Sequence, residues 1–233
     1  MSKLNTTVTK VYKPEILKCP YCGAKMKFLF VGSNKIVQFY SGKTTRIKNM
    51  YYGCQACGHE DSYPSLTATK LAFRGYTYSA KTICMIDHFK SLGYSREKIS
   101  LLYEGRNIIV SDRNVDILHK KFLEYCGEDK KEVIINEIEK MNEKYNEARL
   151  SIDSICTPSG YYILFYNFFT GDLLAIFKFE NLEDEKLVTL LNEVLAEKYN
   201  IKIIATVGVR AKFRGLLKQI VGTRTRLVSY VKF

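Results

Sequence analysis

The sequence predicts a multidomain α+β chain: a cysteine-ligated ribbon, a helix-turn-helix three-helix module and an α/β domain. Three observations carry this. Two Cys-x-x-Cys-Gly turns stand at residues 19–23 and 54–58. Short amphipathic segments with cap residues follow between Tyr78 and Tyr125. From Leu150 the apolar period changes from helical to strand-like.

The opening 18 residues read as an extended lead-in. CPYCG then places two thiols on one tight turn, and CQACGH places two on another. The glycine after each pair permits the backbone conformation in which amides approach the sulfurs. Cys19, Cys22, Cys54 and Cys57 form a four-thiolate set of the kind that holds structural zinc tetrahedrally, with no open position for catalysis. Redox chemistry would need one pair at a helix start, and no helical pattern follows either. Disulfides are not expected in a chain without an export signal, and His59 is superfluous beside four thiols. Alternating and β-branched residues between the pairs predict hairpin strands, hence a zinc ribbon spanning 1–68. Cys84, Cys126 and Cys156 lack partner spacing and read as buried thiols.

RGYTYSAKT (74–82) mixes basic and aromatic residues and suits a phosphate backbone. The helical module covers 69–127. Its first helix runs from Ser79 to Leu92 with Ile83, Ile86, Phe89 and Leu92 on one side, stopped by Gly93. Ser95 caps a second helix bearing Ile99 and Leu102, and Ser111 caps a third. In the third, Val115, Leu118 and Phe122 form the buried stripe. Asp112, Arg113, Asn114, Asp116, Lys120 and Lys121 face outward. Such a tripod presents one polar helix to a DNA groove. Arg113, Asn114, Lys120 and Lys121 are the candidate DNA contacts, since arginine and asparagine read guanine and adenine edges.

Residues 128–149 predict a linker helix with Val133, Ile134, Ile138, Met141 and Tyr145 at helical spacing, which allows a homodimer. The last module, 150–233, reads as three strands (LSIDSIC, YYILFYNFF, DLLAIFKFE), a helix, the strand IKIIATVG, and a basic helix. The last two of the three strands turn at Thr170-Gly171. Asp172 belongs to that turn, and Glu183 to Glu185 favour a helix N-terminus. KFRGLLKQIVGTRTRLVSYVKF reads as a basic tail.

Net charge is +12, unevenly spread. Residues 1–130 carry 21 basic against 11 acidic side chains, and the last 33 carry 8 basic and none acidic. A polyanion partner follows, most simply double-stranded DNA. No apolar run is long enough to span a bilayer and no secretory signal is present, so the expectation is a cytoplasmic protein with no membrane partner.

The order of these modules, with LSIDSI preceding the YYILFYNFFTGDLLA hairpin, resembles the DDE transposases of bacterial and archaeal insertion sequences across residues 19 to about 222. The resemblance implies a truncated RNase H-like core in the last module. It also implies that the ribbon and helices bind transposon ends, while three acids hold two divalent metals for strand cutting and joining. Asp153 matches the first acid. The second is expected in the Thr206-Val207-Gly208 turn, where valine stands instead, and the third on a later helix. One carboxylate does not hold magnesium productively, so Asp153 is read as a vestigial acid in an inactive core. The alternatives are an active transposase completed by a frameshift or second chain, or a transcription regulator of zinc-ribbon and helix-turn-helix type.

Overall fold

The computed structural model describes residues 8–72, 75–207 and 211–230. Arg74 and Gly208, singled out above, lie outside them. The chain is mixed α/β and divides into two compact units, 1–122 and 123–233.

In the first unit, β2 (Lys27–Gln38) and β3 (Thr44–Gly53) form the expected hairpin. The lead-in contributes β1 (Val8–Tyr12), which pairs in parallel with β3, and β4 (Ser62–Tyr63) pairs with the far end of β3. One sheet face packs Val37 and Ile47 against Ala68 and Ala72. Those alanines belong to or follow α1 (Leu66–Lys70), a short helix across the expected 68/69 boundary between ribbon and helical module. This short helix exists because its N-terminal amides are satisfied twice. Ser65 caps Ala68, and the Glu15 carboxylate accepts from the Leu66 and Thr67 amides at 2.9 and 2.8 Å.

The three helices follow as α2 (Ala80–Ser91), α3 (Arg96–Glu104) and α4 (Asp112–Leu123). Ser79, Ser95 and Ser111 cap them, each hydroxyl accepting from the amide three residues on. Two apolar positions differ from the expectation. Leu92 is exposed at the end of α2, and Leu102 is exposed on α3 while Tyr103 is buried in its place. Tyr103 enters the core because its hydroxyl donates to the Thr82 carbonyl at 2.7 Å, leaving no polar atom unpaired. The hairpin tip is seated on this module. The Tyr40 ring meets Tyr103 edge-on and Arg106 lies 4.5 Å over it, while a Cβ on Gly42 would fall 2.2 Å from the Arg106 carbonyl oxygen. The Gln38 carbonyl accepts from the Ser79 amide, at the entrance of α2.

In the second unit, α5 (Lys130–Tyr145) packs Ile134, Ile138 and Met141 into the core on β5 and β7, rather than standing apart as a linker. Val133, expected on the same stripe, is exposed. The sheet contains β5 (Ala148–Thr157), β6 (Gly160–Asn167), β7 (Leu173–Phe179), β8 (Ile201–Val207) and β9 (Arg226–Tyr230) in the order β7-β6-β5-β8-β9. The β5-β6 and β6-β7 pairs are antiparallel, while β5-β8 and β8-β9 are parallel. The helix α6 (Glu185–Val194) leads towards β8, and α7 (Ala211–Val221) connects β8 to β9. Residues 226–230, read as basic tail, are therefore a fifth strand. Cys84 is buried as expected, but Cys126 and Cys156 are only half-buried.

Candidate metal centre and helical face

The two cysteine turns come together at the foot of the β2-β3 hairpin. On the first, the Cys19 amide donates to the Ala24 carbonyl and the Gly23 amide to the Cys19 carbonyl. On the second, the Ala56 amide donates to Cys54 Sγ at 3.3 Å. Gly23 and Gly58 both adopt φ near +70° (+71° and +72°), the left-handed turn that the Cys-x-x-Cys-Gly spacing requires.

The four Sγ atoms of Cys19, Cys22, Cys54 and Cys57 all lie within 4.8 Å of one another. Cys19 and Cys57 are 3.7 Å apart, and Cys22 and Cys54 3.6 Å. Those separations are far beyond a disulfide bond of about 2.05 Å. A regular tetrahedron with metal–sulfur bonds of about 2.3 Å has edges of about 3.8 Å, so the donor set fits a tetrahedral metal ion. The thiols perturb one another as crowded acids do. The Ala56 amide hydrogen bond leads in lowering Cys54 to about 6. The His59 amide lowers Cys57, but burial and the neighbouring thiols outweigh it and push Cys57 up to about 12. Such a quartet ionises fully only around a cation.

His59 takes no part in the cluster. Its ring stacks on Tyr21 at 3.7 Å between centroids, and the Tyr21 hydroxyl donates to Asp61. This stack ties the first cysteine turn to the second independently of the sulfurs.

The third helix presents the second candidate feature. Val115, Leu118 and Phe122 are buried, as the stripe predicts, and Arg113, Asn114, Lys120 and Lys121 are exposed. The two acids of α4 do not share that face. Asp116 bonds Lys90 at 2.7 Å and Arg96 at 3.4 Å, and Asp112 lies 3.9 Å from Arg96. These contacts tie α4 to α2 and α3 and turn its carboxylates towards Lys90 and Arg96, which also pairs with Glu97 at 2.8 Å, while Arg113 and Lys120 stay outward. His119, on the flank, meets Asp87 at 3.0 Å. The Asn114 side chain also reaches the hydroxyl of Tyr78, whose proton goes to the Ile109 carbonyl at 2.7 Å.

Ile117 was not singled out from the sequence, yet it is 44% exposed between Arg113 and Lys120 on the helix. Its signal was present: Ile117 falls out of phase with the Val115-Leu118-Phe122 stripe.

Asp153 lies on β5, the central strand of the second sheet, opposite Leu164. The β5-β8 register pairs Leu150 with Ile204 and Ser151 with Ala205; continued by two residues it sets position 153 beside position 207. Asp172 stays in the β6-β7 turn, where its amide meets the Thr170 hydroxyl. Glu183 pairs with Lys212, and Asp184 caps α6. None of the three joins Asp153 in a cluster: among the described residues the cysteine quartet is the one group of three or more metal-ligating side chains. No helix among them is long and apolar enough to cross a membrane.

No protein-family model matches the chain. None of the curated proteins matches it in sequence either.

Proposed function

We propose that this protein is a sequence-directed, double-stranded-DNA-binding protein of the transposase type, which binds transposon ends through α4. The observation that carries the reading is the α4 face itself. Three capped helices each bury an apolar side, both acids of α4 are turned towards Lys90 and Arg96, and Arg113, Ile117 and Lys120 remain outward. A helix entering the major groove uses that combination: arginine for guanine edges, an apolar side chain for the thymine methyl, and lysine for phosphate. The Cys19, Cys22, Cys54 and Cys57 quartet holds zinc in this account, closed to solvent ligands and structural in role.

The five-strand order, with three antiparallel strands followed by two parallel ones, supports an RNase H-like second unit. In such a unit paired strand positions supply carboxylates for two metal ions. Asp153 occupies one, and valine stands at 207. The proposed role is therefore binding without cutting, which would make the protein a competitor of an active transposase for the same ends.

The test is a selection of bound duplexes from fragmented genomic DNA, using zinc-loaded protein at two salt concentrations. Inverted-repeat ends should be enriched, with retention falling steeply as salt rises. Incubating those ends with magnesium or manganese should leave them uncut. Enrichment of one promoter instead would replace the transposase-type reading with a regulator.

A further inference from the structure

The sheet of the first unit has two unlike faces. Register and strand alternation put Val37, Ile47 and Asn49 on the face covered by α1. The opposite face carries Arg46, Lys48, Met50 and Tyr52 on β3, with Phe28 and Val31 beside them on β2. Phe28 meets Tyr52 edge-on with centroids 6.0 Å apart, and Val31 lies directly across from Met50. Phe28 is 46% and Val31 47% exposed, and Val11 on β1, across from Lys48, is exposed too. Folding therefore leaves a row of apolar and aromatic side chains in water, on the outer face of a sheet whose other side has a core.

Charge decides what can cover this row. No Asp or Glu occurs anywhere in β1, β2 or β3, and the register puts Arg46 and Lys48 on this outer face, with Lys10, Lys27 and Lys35 on the other. A second copy of the same face would set Arg46 and Lys48 against themselves. A duplex keeps its base faces stacked inside and would leave Phe28, Val31 and Tyr52 wet. An unpaired strand offers both complements at once, flat bases for the rings and phosphates for the cations.

We propose that the outer face of the ribbon sheet, built on Phe28, Val31, Tyr52, Arg46 and Lys48, binds single-stranded DNA by stacking and phosphate contact. The site is separate from α4, and the choice of DNA over RNA rests on the reading of the protein as DNA-binding. It would hold a strand unpaired next to a bound duplex.

The experiment uses the full zinc-loaded chain and a fluorescent oligothymidylate of about 12 nucleotides, within the range that OB-fold sheets cover. Binding is read by anisotropy over a salt series, beside binding of the selected duplex. Wild-type protein should bind oligothymidylate at low salt. Tyr52→Ala should weaken that binding about tenfold, and Lys48→Gln should flatten its logarithmic salt slope by about 0.7. Val31→Glu, a change at an exposed edge-strand position, should abolish it with zinc content and circular dichroism unchanged. Val31→Glu decides the matter should Tyr52→Ala misfold. All three should bind the duplex as wild type does. Absence of oligothymidylate binding at low salt, indifference of folded Val31→Glu, or tighter binding of oligouridylate each overturns the proposal. Failure of the α4 reading is a different result, since it removes duplex binding and leaves the oligothymidylate arm intact.

Discussion

If the cysteine quartet holds zinc, removing it should loosen the two turns, which the Tyr21–His59 stack still links, while leaving the helical module folded. The sulfurs stand 3.6 and 3.7 Å apart in two pairs, close to the roughly 3.8 Å edges of a zinc–tetrathiolate tetrahedron. The hairpin has its own sheet hydrogen bonds and α1 core, and the helices have their own caps, so a metal bound there would chiefly join the two turns. Zinc held at about a thousandfold above its dissociation constant stabilises the form that binds it by about 4 kcal/mol. A urea transition followed by circular dichroism should shift by an amount of that order when a strong chelator is added. Thiol counting gives an independent measure. The chain has seven cysteines, and four of them should become rapidly reactive only after chelation. Cobalt(II) in place of zinc should show the visible absorption of a tetrahedral tetrathiolate. If the chelator leaves both the urea midpoint and the thiol count unchanged, the quartet holds no metal and the structural argument fails.

Three further outcomes follow from the geometry. Gly42→Ala meets both a φ of +79° and a carbonyl oxygen 2.2 Å from its new Cβ, so it should cost more than the roughly 1–2 kcal/mol of a left-handed residue alone. Gly23→Ala, at φ +71° with open space around it, should cost only that smaller amount, and urea titration compares them. Asp116→Asn should lose less than about 1 kcal/mol at neutral pH because the Lys90 contact is half-exposed. Lys90 chiefly holds the Asp116 carboxyl below its usual range. The contribution is thus full above the unfolded pKa of about 3.9 and disappears as pH falls through the lower folded value, so wild type and variant should converge in acid. Tyr103→Phe removes the donor to the buried Thr82 carbonyl and should destabilise the helical module by about 1–2 kcal/mol without altering the metal centre, as thermal denaturation and zinc content would show.

The parts of the fold legible in the sequence are those fixed by local chemistry. Cysteine spacing with a following glycine identified the quartet. The hydroxyls of Ser79, Ser95 and Ser111 mark three helix starts, and the spacing of Val115, Leu118 and Phe122 marks the buried side of α4. The Thr170-Gly171 turn likewise followed from short-range signals. What escaped depends on distant partners. The helix α1 needs the carboxylate of Glu15, 51 residues before Leu66. The strand β9 looked like a basic tail because Arg226 interrupts no obvious period; its pairing with Ile203 on β8 makes it a strand. Leu102 was placed inward by hydrophobicity alone, whereas Tyr103 has both the volume for the core and a hydroxyl that finds Thr82. At the site, residue types announced the cations of α4. That Asp112 and Asp116 turn towards Arg96 and Lys90 is tertiary information, and it decides the charge of the face.

The central claim is that α4 reads duplex DNA. The most direct measurement compares wild type with Arg113→Ala and Lys120→Ala on the selected duplex and a shuffled one, each across a salt series. Arg113→Ala should lose about 1–3 kcal/mol on the selected duplex and little on the shuffled one. Lys120→Ala should weaken both alike and reduce the salt slope by about one. If both variants bind both duplexes as wild type does, while remaining folded and zinc-loaded, α4 is not the DNA-binding element.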